Sequence, residues 1–211
     1  MMMYDVSLPK KWSADLAYLC GLITGDGSMP KTASRRPNGK LQQRYMIYFL
    51  CEFEGFCRFY GSIFQRLFHV EPNVVPRDRK SRKILYVSRI ESIQIYKFLE
   101  GLGMTVGRKA RIASVPEMPD KYHVHFLAGL LDTDGGKKGS GFGLCTASAE
   151  LGRFCKDMFK RNKIPFKSCP WLYKGHTYHQ IYVHRRDAAK IIACIPLKNP
   201  EKVDLIKRFS C

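Results

Sequence analysis

Two segments of the sequence end in an aspartate followed by glycine. Residues 19–27 read LCGLITGDG, and residues 127–135 read LAGLLDTDG. Both predict the end of a helix, where a carboxylate faces the negative end of the helix macrodipole. A divalent cation bound by Asp26 and Asp134 would remove that penalty, and Mg²⁺ prefers carboxylate, phosphate and water oxygens. The pair therefore indicates a metal site suited to phosphodiester hydrolysis.

The two segments belong to an internal repeat. Leu-Cys at 50–51 recurs at 144–145, and residues 85–89 (LYVSR) recur at 181–185 as IYVHR. The offsets are 108 residues for the aspartate segments and then 94 and 96 residues for the two later echoes. Three echoes in one order indicate a duplication.

Hydrophobic periodicity predicts the order αββαββα in each half. We expect Ser13 to cap the first helix, Gly27 to end it in the left-handed conformation and Asp120 to cap its counterpart. The fold class is α+β, with two pseudo-symmetric repeats built on antiparallel sheets. The predicted helices are 13–26, 54–68, 91–100, 120–134, 148–162, 187–195 and a short one from residue 200, and the predicted strands are 28–36, 40–52, 72–78, 83–89, 137–147 and a hairpin over 166–185. The predicted divisions are a first repeat over 1–103, a linker over 104–120 and a second repeat over 121–211.

Small residues predict how the two aspartate-bearing helices meet. Ala17, Gly21 and Gly25 are four residues apart and share one helix face, and Gly129 and Thr133 take the matching places in the second repeat. Such faces let two backbones approach closely. We therefore expect the helices to pack around a pseudo-two-fold axis, which brings the two aspartates together.

The charge balance indicates a polyanionic partner. The 211 residues include 36 Lys or Arg and 18 Asp or Glu, a formal net charge of +18. Along residues 42–52 the alternation predicts that Gln42, Arg44 and Tyr48 lie on the open face of a sheet, where such side chains suit base edges and phosphates. The residues predicted to bind DNA are Lys31, Arg35, Arg36, Lys40, Gln42, Arg44, Tyr48, Arg77, Arg79, Lys80, Arg82, Lys83, Lys138, His184 and Arg185.

The cysteines and histidines indicate neither disulfides nor zinc. The eight cysteines form no C-x-x-C pair and lie in apolar runs, so we expect reduced, buried thiols in a cytoplasmic protein, or an organellar one if its host gene is organellar. His123, His125, His176 and His179 do not follow a zinc-ligand spacing. No apolar stretch approaches membrane-spanning length, so no membrane partner is expected.

The two nonapeptides and the repeat resemble the single-chain LAGLIDADG homing endonucleases over about residues 12–195. The resemblance implies a saddle of antiparallel sheets on DNA and metal-dependent cleavage of both strands, with short 3′ overhangs and Mg²⁺ or Mn²⁺ as cofactor. The eighth motif position, Asp26 and Asp134, would bind metal through its carboxylate. The seventh, Gly25 and Thr133, would offer a backbone carbonyl.

The sequence departs from the family in the basic residues near the metal. Glu52 stands at a strand end where the resemblance implies a lysine. Lys137 is predicted as the catalytic base of the second half, with Lys138 beside it, while Lys31 and Gln43 are weaker candidates in the first half. Asp132 is expected to point elsewhere than the metal.

Other functions remain open on the sequence alone. An RNA maturase of this fold would bind intron RNA, and a non-cleaving regulator of this fold would bind DNA. A basic metal-binding or scaffold protein is a third alternative, which salt-sensitive DNA binding would distinguish. We expect a monomer, because the duplication already supplies both halves. We also expect a free-standing, intron-encoded product, because the sequence shows no splicing junction of the kind that flanks an intein.

Overall fold

The computed structural model describes residues 6–35, 38–78, 84–107 and 109–210. The second half has the predicted order of helices and strands, and the first half departs from it only in that its first predicted strand is divided in two. The first contains α1 (Ala14–Thr24), β1 (Gly27–Ser28), β2 (Lys31–Arg35), β3 (Leu41–Cys51), α2 (Glu54–Phe68), β4 (Asn73–Arg77), β5 (Leu85–Glu91) and α3 (Ile93–Gly101). The second contains α4 (His123–Asp134), β6 (Gly136–Lys138), β7 (Gly141–Thr146), α5 (Ala149–Arg161), β8 (Lys167–Tyr173), β9 (His176–His184) and α6 (Ala189–Cys194), and α7 (Pro200–Ser210) follows.

Serine side chains begin three of the helices. Ser13 Oγ accepts a hydrogen bond from the backbone N–H of Leu16 at 3.1 Å, and Ser92 and Ser148 cap α3 and α5 in the same way. The prediction for Asp120 was wrong, because a short 3₁₀ turn over Asp120–Tyr122 precedes α4. The prediction for Gly27 was also wrong. Helix α1 ends at Thr24, and Gly27 continues with negative φ into β1.

Each half builds one antiparallel sheet. The first has the order β1-β3-β5-β4, with β2 also paired to β3, and the second has the order β6-β7-β9-β8. Strands β1 and β2 pair with β3 in one continuous register, from Gly27 opposite Phe49 to Arg35 opposite Leu41. The tight turn between β8 and β9 places Lys174 (φ 48°) and Gly175 (φ 74°) in the left-handed region, as the Lys-Gly pair predicts.

Helices α1 and α4 pack against each other through the predicted small residues. A Cβ atom on Gly21 would lie 2.1 Å from the carbonyl oxygen of Phe126, and one on Gly129 would lie 2.2 Å from that of Tyr18. A Cβ on Gly25 would overlap the Thr133 hydroxyl. Glycine is therefore required at these places by the close approach of the backbones, and the predicted helix pair is confirmed.

The core lies between these two helices and the inner faces of the sheets. Ile47 and Phe49 of β3 and Ile181 and Val183 of β9 point into it, each no more than 1% exposed. The cysteine prediction was wrong in part, because of the seven described free cysteines Cys169 and Cys194 are exposed. Among the described residues, no helix is both long and apolar enough to span a membrane.

Candidate metal and nucleic-acid site

The two motif aspartates lie at the same end of the α1–α4 pair. Asp26 follows the C-cap Gly25 of α1, and Asp134 is the last residue of α4. Both side chains are exposed to solvent, yet surrounding protein desolvates them. The pKa of Asp134 is raised to about 6, mainly because the carboxylate is desolvated and secondly because Asp26 carries a negative charge nearby. Two acids this close hold negative charge at an energetic cost, which a cation would relieve.

Lys109, from the segment between the repeats, reaches this end of α1. Its ammonium donates to the carbonyls of Ile23, Gly25 and Gly27. Burial lowers the pKa of Lys109 to about 8, and the charges of Asp134 and Asp26 oppose that decrease. The lysine therefore neutralises the negative end of the α1 dipole beside the carboxylates.

Lys202 makes the equivalent contact in the second half. Its Nζ donates to the carbonyl of Gly135 at 2.5 Å, and its charge lowers the pKa of both motif aspartates. Lys109 and Lys202 thus bind the ninth residue of each motif, Gly27 and Gly135. The pseudo-symmetry of the helices extends to these cations.

Asp132 holds the segment that carries Lys202. Its carboxylate accepts hydrogen bonds from Tyr18 Oη at 2.5 Å and from the backbone N–H of Lys198 at 2.7 Å. Its carbonyl accepts from Asn199 Nδ2 at 2.9 Å. Desolvation raises the pKa of Asp132 to about 6, against the opposing effect of these bonds. Asp132 therefore links α1, α4 and the start of α7.

The donor atoms here suit a hard cation. Among the described residues, no cluster of three or more His, Cys, Asp or Glu side chains could hold a metal ion. Two accessible carboxylates fit a Mg²⁺ or Mn²⁺ ion that keeps waters and takes further oxygens from a bound phosphate. The Gly25 carbonyl, an expected ligand, accepts from Lys109, and the Thr133 hydroxyl donates back to Gly129 and Leu130 at 3.0 Å. A cleft lined in part by Asp26, Glu52 and Lys202 opens at this site.

The open face of the first sheet carries polar side chains in an alternating pattern. Gln42, Arg44 and Tyr48 lie on it, with Arg89 opposite Tyr48 and Arg77 on the outer strand. The bidentate ion pair of Arg44 with Glu91, with Nε–Oε1 at 3.0 Å and Nη2–Oε2 at 2.5 Å, fixes the Arg44 side chain across β3 and β5. Arg89 was not among the predicted DNA contacts, although the echo between Arg89 and Arg185 marked its strand.

Strand pairing puts three of the predicted site residues on the face away from the open one. Lys31 and Arg35 of β2 stand opposite Tyr45 and Leu41, on the face away from Gln42 and Arg44. Lys31 lies instead over the Tyr45 ring, at 5.5 Å. Lys137 stands opposite the buried Phe142 and therefore points away from the open face. The sequence analysis predicted these residues from their charge and position without assigning them a face, and the pairing partners decide it.

The remaining predicted DNA contacts lie in the second sheet, in turns, or outside the described residues. Lys138 and His184 lie on the open face, each opposite Gly141, and Lys138 also lowers the pKa of Asp134. Lys40 is exposed in the turn before β3, and Arg185 is exposed at the start of a 3₁₀ turn. The predicted DNA contacts Arg36, Arg79, Lys80, Arg82 and Lys83 lie outside the described residues.

Lys109 and Lys202 were missed, although the repeat contains the signal for them. Each lies eight residues after the third helix of its repeat, which ends at Gly101 in one half and Cys194 in the other. An alignment of the halves by their helices pairs the two lysines. The sequence echoes between the motifs and strands do not pair these lysines, because the sequences around them, GRKAR and PEKVD, share only the lysine.

Comparisons with known proteins give matches in structure alone. No protein-family model matches the sequence, and no curated protein matches it. A structure of I-DmoI with DNA and calcium superimposes with a TM-score of 0.64 at 15% identity, covering 91% of this chain and 96% of that chain. The meganuclease I-SmaMI bound to uncleavable DNA gives a TM-score of 0.57 at 12% identity, over 93% and 90% of the chains. The homing endonuclease I-WcaI bound to its recognition sequence gives 0.56 at 15% identity, over 94% and 88%.

The chain therefore has the fold of single-chain homing endonucleases. The predicted fold class, α+β with two antiparallel sheets, is confirmed, and so is the resemblance at the level of the fold. Nothing in these comparisons supports intron RNA as a partner.

Proposed function

We propose that this protein is a site-specific DNA endonuclease that cuts both strands of a long target by metal-dependent phosphodiester hydrolysis. The observation that carries the proposal is the pair of aspartates at adjacent helix ends, each beside a lysine bound to its own motif. One carboxylate and one lysine serve each scissile phosphate. The reported structures of this fold that contain DNA also support it.

The metal would be held by Asp26 and Asp134, with Mg²⁺ or Mn²⁺ the ion that fits carboxylate oxygens at this site. When bound, such an ion supplies a water of lowered pKa and stabilises charge on the phosphate. The pKa of about 6 for Asp134 leaves its carboxylate ionised at neutral pH and ready to bind a cation.

Lys109 and Lys202 would act on the phosphates. Lys202, which donates to the Gly135 carbonyl, can also donate to a phosphate oxygen as negative charge develops there. The three N–H groups of Lys109 bind the carbonyls of Ile23, Gly25 and Gly27, so Lys109 would stabilise that negative charge through its own positive charge. Lys109 Nζ can also exchange a proton near neutral pH, because its pKa is about 8. We propose that Lys109 fills the role for which the sequence predicted Lys31 or Gln43, and Lys202 that of Lys137.

DNA would lie along the open faces of the two sheets. The net charge of +18 gives a long-range attraction for phosphates, and Gln42, Tyr48 and Arg89 offer donors to base edges. The product expected from cleavage across the minor groove is a pair of short 3′ overhangs. One chain carries both halves, which supports action as a monomer.

The test is cleavage of a randomised plasmid library with purified protein, in Mg²⁺, in Mn²⁺ and in EDTA. Discrete double-strand cuts that need metal and are lost in Asp26→Asn/Asp134→Asn are expected. Asp157→Asn changes an exposed aspartate on α5 and should cleave normally. Salt-sensitive binding without cleavage in every metal would refute the proposal and favour a non-cleaving regulator, with intron RNA as the next substrate to test.

A further inference from the structure

An aromatic cluster covers the outer part of the second sheet. Trp171 and Tyr173 of β8 and Tyr178 of β9 form it, and we call it the β8–β9 aromatic cluster. The Trp171 and Tyr178 rings stack with centroids 5.0 Å apart, and the Tyr173 ring lies 5.8 Å from that of Trp171. The Tyr173 ring is tilted by 47° to that of Trp171, so the three rings give a contiguous apolar surface with two stacked rings and one inclined ring.

The cluster lies on the open face of the sheet. Trp171 pairs directly with Tyr178 across the strands, and alternation along β9 puts Tyr178 on the side of Gln180 and Tyr182, away from the buried Ile181. Trp171 is 45% and Tyr173 49% exposed, on the edge strand β8. The rings are therefore not held by the core, and their exposed surface is available to a partner.

The surroundings of the cluster favour a polyanion as that partner. No acidic residue occurs between Asp157 and Asp187, while Lys167 and Lys174 lie at the two ends of β8. Lys174 Nζ stands 5.4 Å from the centre of the Tyr173 ring. An apolar patch with a lysine at each end of its edge strand suits the major groove, where phosphates flank the apolar thymine methyl groups.

The matching surface of the first sheet has a different chemistry. On β4 the open-face positions are Asn73, Val75 and Arg77, and Arg89 stands opposite Asn73. This surface can donate hydrogen bonds to bases and phosphates, whereas the second offers mainly ring surface. The outer surfaces of the two sheets therefore differ in the contacts that they can make.

We propose that the β8–β9 aromatic cluster contacts thymine C5-methyl groups in the half-site bound by the second repeat. The proposal rests on the DNA-cleaving function above. Tyr178 lies four residues beyond Tyr182 along β9, about 13 Å at the rise of a strand. At about 3.4 Å per base pair, bases contacted by the cluster and by Tyr182 would be at most about four base pairs apart.

Replacing thymine by uracil in the target tests this, because only the methyl group is lost. Binding is measured by fluorescence anisotropy with the Asp26→Asn/Asp134→Asn background, which prevents cleavage. Each contacted thymine in the second half-site should lose about four-fold in affinity on replacement, from the transfer free energy of one methyl group. In Trp171→Ala/Tyr178→Ala the same replacements should change affinity less than two-fold.

Replacements in the first half-site are the control, and both proteins should respond to them equally. The exposed position of the cluster predicts unchanged thermal unfolding in the double alanine variant. In a Trp12→Phe background, Trp171 fluorescence should also change on binding the target. Normal cleavage by a protein whose affinity is insensitive to every uracil replacement would overturn this inference alone. A protein that cuts no DNA would instead overturn the proposed function.

Discussion

Replacing Asp134 by asparagine should stabilise the metal-free protein while abolishing cleavage. Asparagine has nearly the same shape as aspartate but carries no charge. In the free protein the Asp134 carboxylate is desolvated and close to Asp26, so that its pKa is raised to about 6. Removal of the charge should therefore favour the folded state, as expected where a functional site keeps a group that is unfavourable to folding.

The size of the effect follows from the pKa. A rise from 3.8 to about 6 corresponds to at most about 3 kcal/mol of unfavourable free energy for the ionised group at neutral pH. Asp134 is exposed, so solvent screening reduces the expected gain to about 1 kcal/mol. For a chain of this length that raises the melting temperature by about 2–4 °C.

The pH dependence identifies the cause. The folded protein holds the Asp134 proton more tightly than the unfolded chain, so the wild type loses stability as pH rises from about 4 to 6. Urea denaturation in EDTA should give equal stabilities for wild type and Asp134→Asn below pH 4. The difference should grow through that window and stay constant above it. Added Mg²⁺ should then stabilise the wild type more than the variant.

Asp157→Asn, at an exposed position of α5, is the control for the loss of one carboxylate elsewhere on the protein. An Asp134→Asn protein that is less stable than wild type at pH 7.5 would refute the reasoning. So would a gain in stability that is the same at pH 4 and pH 7.5, because the carboxylate charge would then not be its source.

Three further predictions follow from the geometry. Gly129→Ala should lower the free energy of unfolding by about 3 kcal/mol in urea denaturation, because its methyl would meet a carbonyl oxygen of α1, whereas Gly101→Ala meets nothing within 4 Å and should cost nothing. Lys138→Met should reduce the slope of log affinity for DNA against log salt by about one, and Lys137→Met, on the other face, should leave it unchanged. Lys202→Met should slow single-turnover cleavage by about 100-fold with DNA affinity within a few fold, and an unchanged rate would contradict its placement beside the phosphate.

The sequence could predict the features that depend on local periodicity. The four-residue spacing of Ala17, Gly21 and Gly25 predicted the close approach of the two helices, because only small side chains permit it. The alternation along β3 predicted which residues face the core, with Ile47 and Phe49 now buried. Both patterns extend over enough residues to identify which face of the helix or strand is buried.

Such patterns could predict neither which face of a short strand a residue occupies nor which distant segments approach the motif aspartates. The faces of Lys31 and Lys137 depend on which residue lies opposite, and strands of five and three residues contain too few apolar positions to fix that. Lys109 and Lys202 lie 83 and 68 residues from the aspartates they accompany, Asp26 and Asp134. Their role depends on how the segments after α3 and α6 fold back, which no local pattern encodes.

The two lysines explain how the site can exist before a metal binds. Two carboxylates beside the carbonyl ends of two helices would be repelled by each other and by both dipoles. Lys109 and Lys202 bind those carbonyls directly and lower the pKa of both acids. Their compensation is incomplete, because desolvation still leaves the pKa of Asp134 at about 6. The remaining unfavourable charge is what a divalent cation would relieve, so the lysines offset part of the charge repulsion in the free protein while leaving a favourable place for the proposed metal.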